Sequence, residues 1–413
     1  METMRRWLAP VWLMGMANLT FGLFGGFVIV PLPQLLAAQH VPEAAITRVT
    51  GAVLLPGFWV FLLGPMLDVK FSRRWYATVF AAMAGACLTV AVWNNTNLRL
   101  VEGAMVLGYA AAALSSNALF GWISSILRRE DESRLSSWSQ VAALAGNGLM
   151  AGLAGELMRG LPLHVAALVV GAIVFAPAAI FVWMPAPGPD RRLAKESFTA
   201  FFGEVMAVVR RREVLIALAL FLAPSASFAL TNTLGGLGAD FRASARMVGA
   251  LGGLGTCVAG IAGSLLLMPL AKLMPLRPLY LAIGVAGATF TVSLLLLPHT
   301  PATFGVAMVG ENVFQALAFT GAVAICLETI GKDNPLAATQ FSLLSGATAL
   351  PIVYMGVIDG RAYSWHGVSG EYAADAGISL VVCAMLAGLL LWLRRKGWDT
   401  EVRDASPSSS AAS

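Results

Sequence analysis

The chain has 413 residues, 58% of them hydrophobic and 12% charged, with a mean hydropathy of +0.76. Soluble domains are about a quarter charged, so this composition excludes a string of water-soluble domains and points to a polytopic membrane protein. The net charge of +5 is spread over the connections between apolar runs, which is a pattern of membrane topology and not of nucleic-acid binding.

Apolar windows of about 20 residues predict twelve membrane helices, so the expected class is an all-α membrane protein. The first six cover about 8–34, 45–67, 75–93, 99–126, 137–158 and 162–184. The other six cover about 214–238, 246–273, 278–297, 301–329, 335–359 and 374–394. The opening apolar run continues from Trp7 past Val30. It is too long for the core of a signal peptide and reads as the first span.

That first helix carries Asn18 and Thr20. The second is apolar from Ala52 to Leu67 and then breaks into Asp68, Lys70, Arg73 and Arg74. The fourth places Ser115, Ser116 and Asn117 at mid-helix, and the fifth has Asn147 between Gly146 and Gly148. Ser, Thr and Asn in spans often serve as interhelical hydrogen-bond contacts, so each of these has a packing reading beside a binding one.

The longest connection, 185–213, opens on Pro185, Pro187 and Pro189. It then spaces Phe198, Phe201, Phe202, Val205 and Val209 as one helical face against Glu196, Glu204 and Arg210–Arg212. This predicts a short amphipathic helix on the membrane surface. It divides the chain into a first half (1–184) and a second half (214–395), the plan of a transporter built from two six-helix units.

In the seventh helix, Thr231, Asn232 and Thr233 precede Gly235 and Gly236, a run suited to unwound backbone beside a cavity. The tenth holds Glu311 about ten residues from its start, followed by Asn312 and Gln315. An ionisable group in hydrocarbon costs about 2.5–3.5 kcal/mol or more. Glu311 is therefore the deep acid that most needs a reason, with Gln315 one turn along the same face. Substrate or proton binding is one reason; a structural acid packed on another helix is the other.

The eleventh helix has Gln340, Ser342 and Ser345 and is expected to end at the outer face with Asp359, where Arg361 can pair with it. Glu102, Glu156 and Asp240 fall near outer ends and Glu328 near an inner end. Beyond Trp398 the polar, Ser-rich tail (396–413 with its approach) is expected to be disordered.

Orientation follows from Lys and Arg. All of the 27 except Arg48, Arg99, Arg159, Arg242, Arg246 and Arg361 fall on the side that holds both termini, so that side is expected to be cytoplasmic. His40, His164, His299 and His366 map to the opposite face and form no metal pair, and the four cysteines are too scattered for a metal spacing. No nucleophile elbow or phosphate-binding loop is present. The chain is expected to have no enzymatic activity, no cofactor and no metal.

Two stretches resemble a known family. Gly64-Pro65-Met66-Leu67-Asp68, with Arg73 and Arg74 after it, is similar to the loop after the second helix of major facilitator superfamily transporters, with Ser72 in place of a second Gly. Glu311-Asn312 and Ala338-Thr339-Gln340-Phe341-Ser342-Leu343-Leu344-Ser345 resemble helices ten and eleven of the branch that holds the AmpG-like muropeptide permeases and their acetyl-CoA transporter relatives. The resemblance implies a secondary transporter of the bacterial inner membrane, with a central site on helices one, four, seven and ten. It also implies a gate in which Asp68 pairs with Arg73 or Arg74. The branch carries acids in helices four and seven where this chain has Ser116-Asn117-Ala118-Leu119-Phe120-Gly121-Trp122 and Pro224-Ser225-Ala226-Ser227-Phe228.

The sequence-based expectation is a monomeric permease for a small organic, muropeptide-like or otherwise amphiphilic solute, with the proton as candidate co-substrate. Glu311, Asn312, Gln315, Asn117, Ser116, Asn18 and Asn232 are the candidate binding residues. The alternative is a binding or scaffold protein on a transporter fold that no longer transports.

Overall fold

The computed structural model describes residues 9–185, 209–331 and 334–396, together with 203, 206 and 207. Most of the connection expected to carry an amphipathic helix, including Phe198, Phe201, Phe202 and Val205, and the tail beyond 396 lie outside the described residues. Among the described residues the secondary structure is entirely helical.

The membrane-length helices are α1 (Val11–Ala38), α2 (Arg48–Asp68), α3 (Arg73–Trp93), α4 (Leu98–Ser124), α5 (Arg129–Gly160) and α6 (Leu163–Val182). Next comes α7, a pair of pieces (Arg212–Leu220 and Pro224–Leu234) bent by 64°. Then follow α8 (Arg246–Leu270), α9 (Leu276–Leu294) and α10 (Pro301–Ile330). Local chemistry fixes several starts. Ser72, Asn97 and Thr300 each accept a hydrogen bond from the backbone N–H three residues on, which satisfies one of the free donors at a helix N-terminus.

The last helical segment, Ala337–Arg395, has 59 residues, far more than the roughly 20 a bilayer needs. Its backbone leaves the helical region at His366 and at Gly367, where φ is 60° and ψ is −151°. Side-chain contacts show that the chain turns back there. Tyr354 Oη donates to the Leu222 carbonyl at 2.5 Å, and Cys383 Sγ lies 3.5 Å from Ser225 Oγ. Residues 354 and 383 therefore sit at one level of the bundle, whereas a straight helix would part them by roughly 43 Å. The segment is thus α11 (337–365) and α12 (368–395). With this division the spans among the described residues number twelve, counting α7 as one bent span.

The reversal corrects the sequence reading. Residues 360–373 look like an outer loop because they are polar, yet they are helical on both sides of Gly367. Asp359 is not at a helix end. It is fully buried, neither carboxylate oxygen has a hydrogen-bond partner, and Arg361 is exposed. In α7 the break falls at Phe221–Ala223 and again at Phe228 (φ 53°), while Thr231, Asn232 and Thr233 are helical. The unwinding expected at the Thr-Asn-Thr-Leu-Gly-Gly run lies one to two turns earlier, where Pro224 removes a backbone donor.

Within the first six helices α1 packs on α5, and α3 packs on α4 and α6; within the last six α10 packs on α8 and α9, and α9 on α12. Small residues set the distance. A Cβ on Gly22 or Gly26 would fall 2.2–2.3 Å from the Ala143 or Asn147 carbonyl oxygen of α5, and one on Gly263 would fall 2.2 Å from that of Val313.

The turn at Gly367 uses backbone that only glycine occupies at low cost. Gly367→Ala is expected to lower stability by about 1–3 kcal/mol. Thermal unfolding in detergent measures this, and an unchanged midpoint would contradict the assigned turn.

Candidate functional site

The two sets of helices meet most closely at the end of the bundle that carries Lys70, Arg73, Arg74 and Arg129, here termed the basic end. Asp68, at the foot of α2, is 2% exposed and pairs with Arg73 Nε at 2.7 Å. Its second oxygen accepts from the Thr339 backbone N–H and the Thr339 hydroxyl, both at 2.7 Å, and its first accepts from the Ala338 N–H at 3.3 Å. Residues 338 and 339 belong to the first turn of α11, whose preceding residue, Leu336, has no side-chain cap. A carboxylate of α2 thus caps a helix of the other set, where free N–H groups and the helix dipole favour a negative charge.

Arg73 completes the joint. Its guanidinium donates to the Asn334 and Pro335 carbonyls at 3.1 and 2.7 Å, and to the Gly121 carbonyl of α4 at 3.3 Å. Arg74 takes no part in the pair and lies 5.8 Å from the Trp122 ring. Around the ion pair the surfaces touch backbone to backbone. A Cβ on Gly121 would be 2.6 Å from Ala338 Cα, and one on Gly64 would be 2.7 Å from Ser342 Cβ. Phe120 stacks on Phe341 at 4.4 Å. Gln340 donates to the Thr329 carbonyl and accepts from Asn334, which fixes the turn between α10 and α11. The stretch Ala338–Ser342 is therefore a contact surface, residue by residue.

The opposite ends of the same two helices stand clear. A Cβ on Gly51 of α2, or on Gly356 or Gly360 of α11, would meet no atom within 4 Å. The two helices are in contact at the basic end and unpacked at these three positions near the other.

Behind the basic-end joint lies a cavity of about 120 Å³ between the two sets of helices. Its apolar wall is Phe21, Phe61, Tyr109, Phe120, Phe319 and Phe341, and its polar groups include Asn18, Ser116, Asn117, Gln140, Ser342 and Ser345. No charged side chain lines it. Ser116 Oγ donates to Asn18 Oδ1 at 2.8 Å, and Asn18 Nδ2 donates to the Ser139 carbonyl at 3.3 Å, which ties α1, α4 and α5 into one polar wall. Three of the expected binding residues thus come together here. Gln140, Tyr109 and the aromatic wall did not stand out in the sequence, because a lone amide or ring in an apolar helix is ordinarily packing. A larger void of about 480 Å³ at the basic end is lined by Arg129, Arg277, Glu132 and Glu328 among others. It lies on the far side of the Asp68 joint from the cavity.

Glu311, Asn312, Gln315 and Asn232 do not line this cavity. Glu311 is 2% exposed and makes a 2.6 Å hydrogen bond with Thr291 of α9. Thr291 is one turn from the end of α9, so Glu311 lies in the half of the bundle away from the basic end and within the last six helices. Asn312 Nδ2 donates to the Met308 carbonyl of its own helix at 2.7 Å. Gln315 Oε1 accepts from the Phe228 N–H at 2.9 Å and so holds the left-handed residue at the break in α7. Asn232 is exposed on the outer piece of α7. Two further buried acids belong to α12: Glu371, in the stretch that reads as a loop, and Asp375, at the very start of the expected twelfth helix, where an acid reads as a solvated end.

With this geometry in hand, the relatives are informative. The anhydromuropeptide permease of Escherichia coli K12 is 25% identical over 354 residues, which cover 81% of this chain and 69% of that protein. Among solved structures, a proton:xylose symporter of the major facilitator superfamily bound to 6-bromo-6-deoxy-D-glucose superposes with a TM-score of 0.71 at 13% identity, over 92% of this chain and 95% of that one. The Escherichia coli fucose:proton symporter gives 0.70 at 14% identity, over 93% and 99%. No family model matches the chain.

The joint gives a direct expectation. Asp68→Asn leaves the Arg73 guanidinium buried without a counter-charge, which costs about 3–5 kcal/mol of the closed arrangement. In a background without native cysteines, Ser342→Cys is expected to be shielded from a water-soluble thiol reagent supplied only at the basic end, and to become reactive from that side once Asp68→Asn is added. Equal labelling in the two would show that Asp68 does not hold this end shut.

Proposed function

We propose that this chain, which has the major facilitator fold, is a secondary transporter that moves a small organic solute by alternating access. The observation that carries the reading is the asymmetry between the ends. A solute cavity lies between two sets of helices that are locked by a capped ion pair on one side and clear of each other on the other. In this reading the units are residues 1–184 and 214–395, and they rock about the cavity. The basic end is cytoplasmic, by the excess of Lys and Arg, in the inner membrane of a bacterium, with both termini on that side. The arrangement described is then outward-facing, and the protein works as a monomer because each chain holds a whole cavity.

The cavity chemistry selects the solute. Aromatic faces beside amides and hydroxyls suit the hydroxylated ring of an amphiphilic solute. At about 120 Å³ the space is below the roughly 300–1,000 Å³ of ordinary ligand pockets, so loading requires the two units to part further. The permease that the chain resembles and the sugar symporters that share its fold agree with a saccharide-bearing solute. Asn18, Ser116 and Asn117 are the proposed binding groups and Asp68 with Arg73 the gate. Glu311, away from the cavity, is proposed to carry the coupling proton, with Asn312 and Gln315 shaping its helix.

Counterflow in proteoliposomes tests this, with anhydromuropeptide and D-xylose as probes. Exchange of either probe supports the reading. Folded protein that exchanges neither would favour a binding or scaffold protein. Where exchange occurs, Asn117→Ala is expected to weaken it about 2- to 12-fold, the worth of one neutral hydrogen bond of about 0.5–1.5 kcal/mol. Glu311→Gln is expected to keep counterflow and to abolish accumulation driven by a pH gradient; unchanged accumulation would remove Glu311 from coupling.

A further inference from the structure

A narrow apolar groove lies between α7 and α12 at the basic end. One wall is the first piece of α7, with Leu215, Ala219 and Leu220 and with Arg212 at its start; the other is α12 from Leu386 to Leu393. Leu215 and Leu389 are exposed along it. The two helices meet at mid-bundle, where Ser225 Oγ and Cys383 Sγ are 3.5 Å apart. From there the first piece of α7 bends away to pack on α9, α10 and α11, which leaves a cleft of about 190 Å³ toward α12.

The dimensions fit one lipid leaflet. From Cys383 to Leu393, where the basic residues begin, α12 rises about 15 Å at 1.5 Å per residue. That is half of the roughly 30 Å hydrocarbon core of a bilayer. Every lining residue except Arg212 is apolar. One turn of a helix, at about 10 Å diameter and 5.4 Å pitch, fills roughly 420 Å³, so the cleft takes a hydrocarbon chain and not a further helix.

The mouth of the groove is basic. Arg210 and Arg211 precede Arg212, and Arg394, Arg395 and Lys396 follow Leu393. All of these but Arg394 are exposed. The acid beside them, Glu213, lines the neighbouring void of about 480 Å³ together with Arg211. Lys396 Nζ lies 4.2 Å from the Trp392 ring centre, an aromatic and a cation of the kinds that sit at headgroup level. Helix stability accounts for only part of this cluster. Arg394 and Arg395 suit the C-terminal end of α12, but Arg212 stands in the first turn of its helix, where the dipole opposes a cation.

We propose that this groove binds an anionic phospholipid from the leaflet at the basic end. An acyl chain lies between Leu215–Leu220 and Leu386–Leu393, and the headgroup phosphate rests on Arg212 and Arg395, whose guanidinium groups match phosphate oxygens. What selects this ligand is a hydrocarbon slot one leaflet deep joined to a basic cluster drawn from two chain segments. A soluble anion cannot use the slot, and a neutral lipid cannot use the cluster. The site is apart from the solute cavity and the Asp68 joint, and the inference rests on the chain's place in a membrane and not on transport.

Photolabelling tests it. The full chain is placed in phosphatidylcholine vesicles with a trace of phosphatidylglycerol or of phosphatidylcholine, each carrying the same photoreactive acyl chain. Labelling of residues 215–220 and 386–393 is read by mass spectrometry against that of the exposed Leu107 on α4. The phosphatidylglycerol probe is expected to favour the groove, and Arg212→Gln with Arg395→Gln to reduce its relative labelling about fivefold for each basic side chain removed. Arg212→Lys with Arg395→Lys is expected to keep most of it. If the glutamine variant does not fold, Ala219→Phe, which fills the slot and leaves the charges, is expected to lower groove labelling while Leu107 stays labelled. Equal groove labelling by the two probes would overturn the site, leaving ordinary boundary lipid. No groove labelling by either probe would overturn it too, and so would loss of the phosphatidylglycerol label to inorganic phosphate at constant ionic strength, which marks a soluble-anion site.

Discussion

A buried carboxylate that belongs to one set of helices and caps a helix of the other is the interaction on which the remaining architecture turns. Asp68 meets the guanidinium of Arg73, the free N–H groups at the start of α11 and the Thr339 hydroxyl. An ion pair sealed from water stabilises a structure only when its remaining hydrogen-bonding capacity is met. Here the turn from α10 to α11 supplies much of what is needed, and it does so only while the two sets are pressed together. The joint is therefore conditional. Its partners lose one another as a group when the surfaces part, which is how a packed interface comes to have two states instead of a continuum.

The surface around the pair is closely fitted. Gly64 and Gly121 let backbone touch backbone, so the contact has few interlocking side chains to pull out. At the far ends the glycines of α2 and α11 are uncovered, a surface of the same kind awaiting its partner. The polar groups are also divided. The space between the sets is aromatic and uncharged, whereas the carboxyls are sunk within the last six helices. A solute and a proton would thus be held in different places, and their coupling would pass through the movement of helices such as α10, which contributes Phe319 to the cavity and Glu311 to the acids.

Much of this was legible in the letters. Hydropathy placed most of the spans, because apolar length is a strong signal. Asp68 beside a basic run stood out in the sequence, and the structure pairs it with Arg73. The choice of Arg73 over Arg74 was not legible, since it depends on which side chain of the first turn of α3 points between the sets. The carboxyls of α12 were missed for a specific reason. The stretch 360–373 is polar enough to resemble an outer loop with Asp359 and Asp375 as its helix ends, and only the fold shows that Asp359, Glu371 and Asp375 are buried on either side of a glycine reversal. The importance given to Glu311 for solute contact followed from its depth in sequence, yet depth along a helix says nothing of which neighbour the side chain faces. Gln315 shows the same limit, with its amide spent on the break in α7.

The central claim is reciprocity between the ends, and distances between spin labels in liposomes measure it directly. One labelled pair spans the basic end, Lys70→Cys with Lys272→Cys, and a second spans the outer end, Gly51→Cys with Gly356→Cys. The account predicts that adding Asp68→Asn creates a longer basic-end population and, in the same proportion, a shorter outer-end one. Two pairs that stay as in wild type, or that lengthen together, would contradict it.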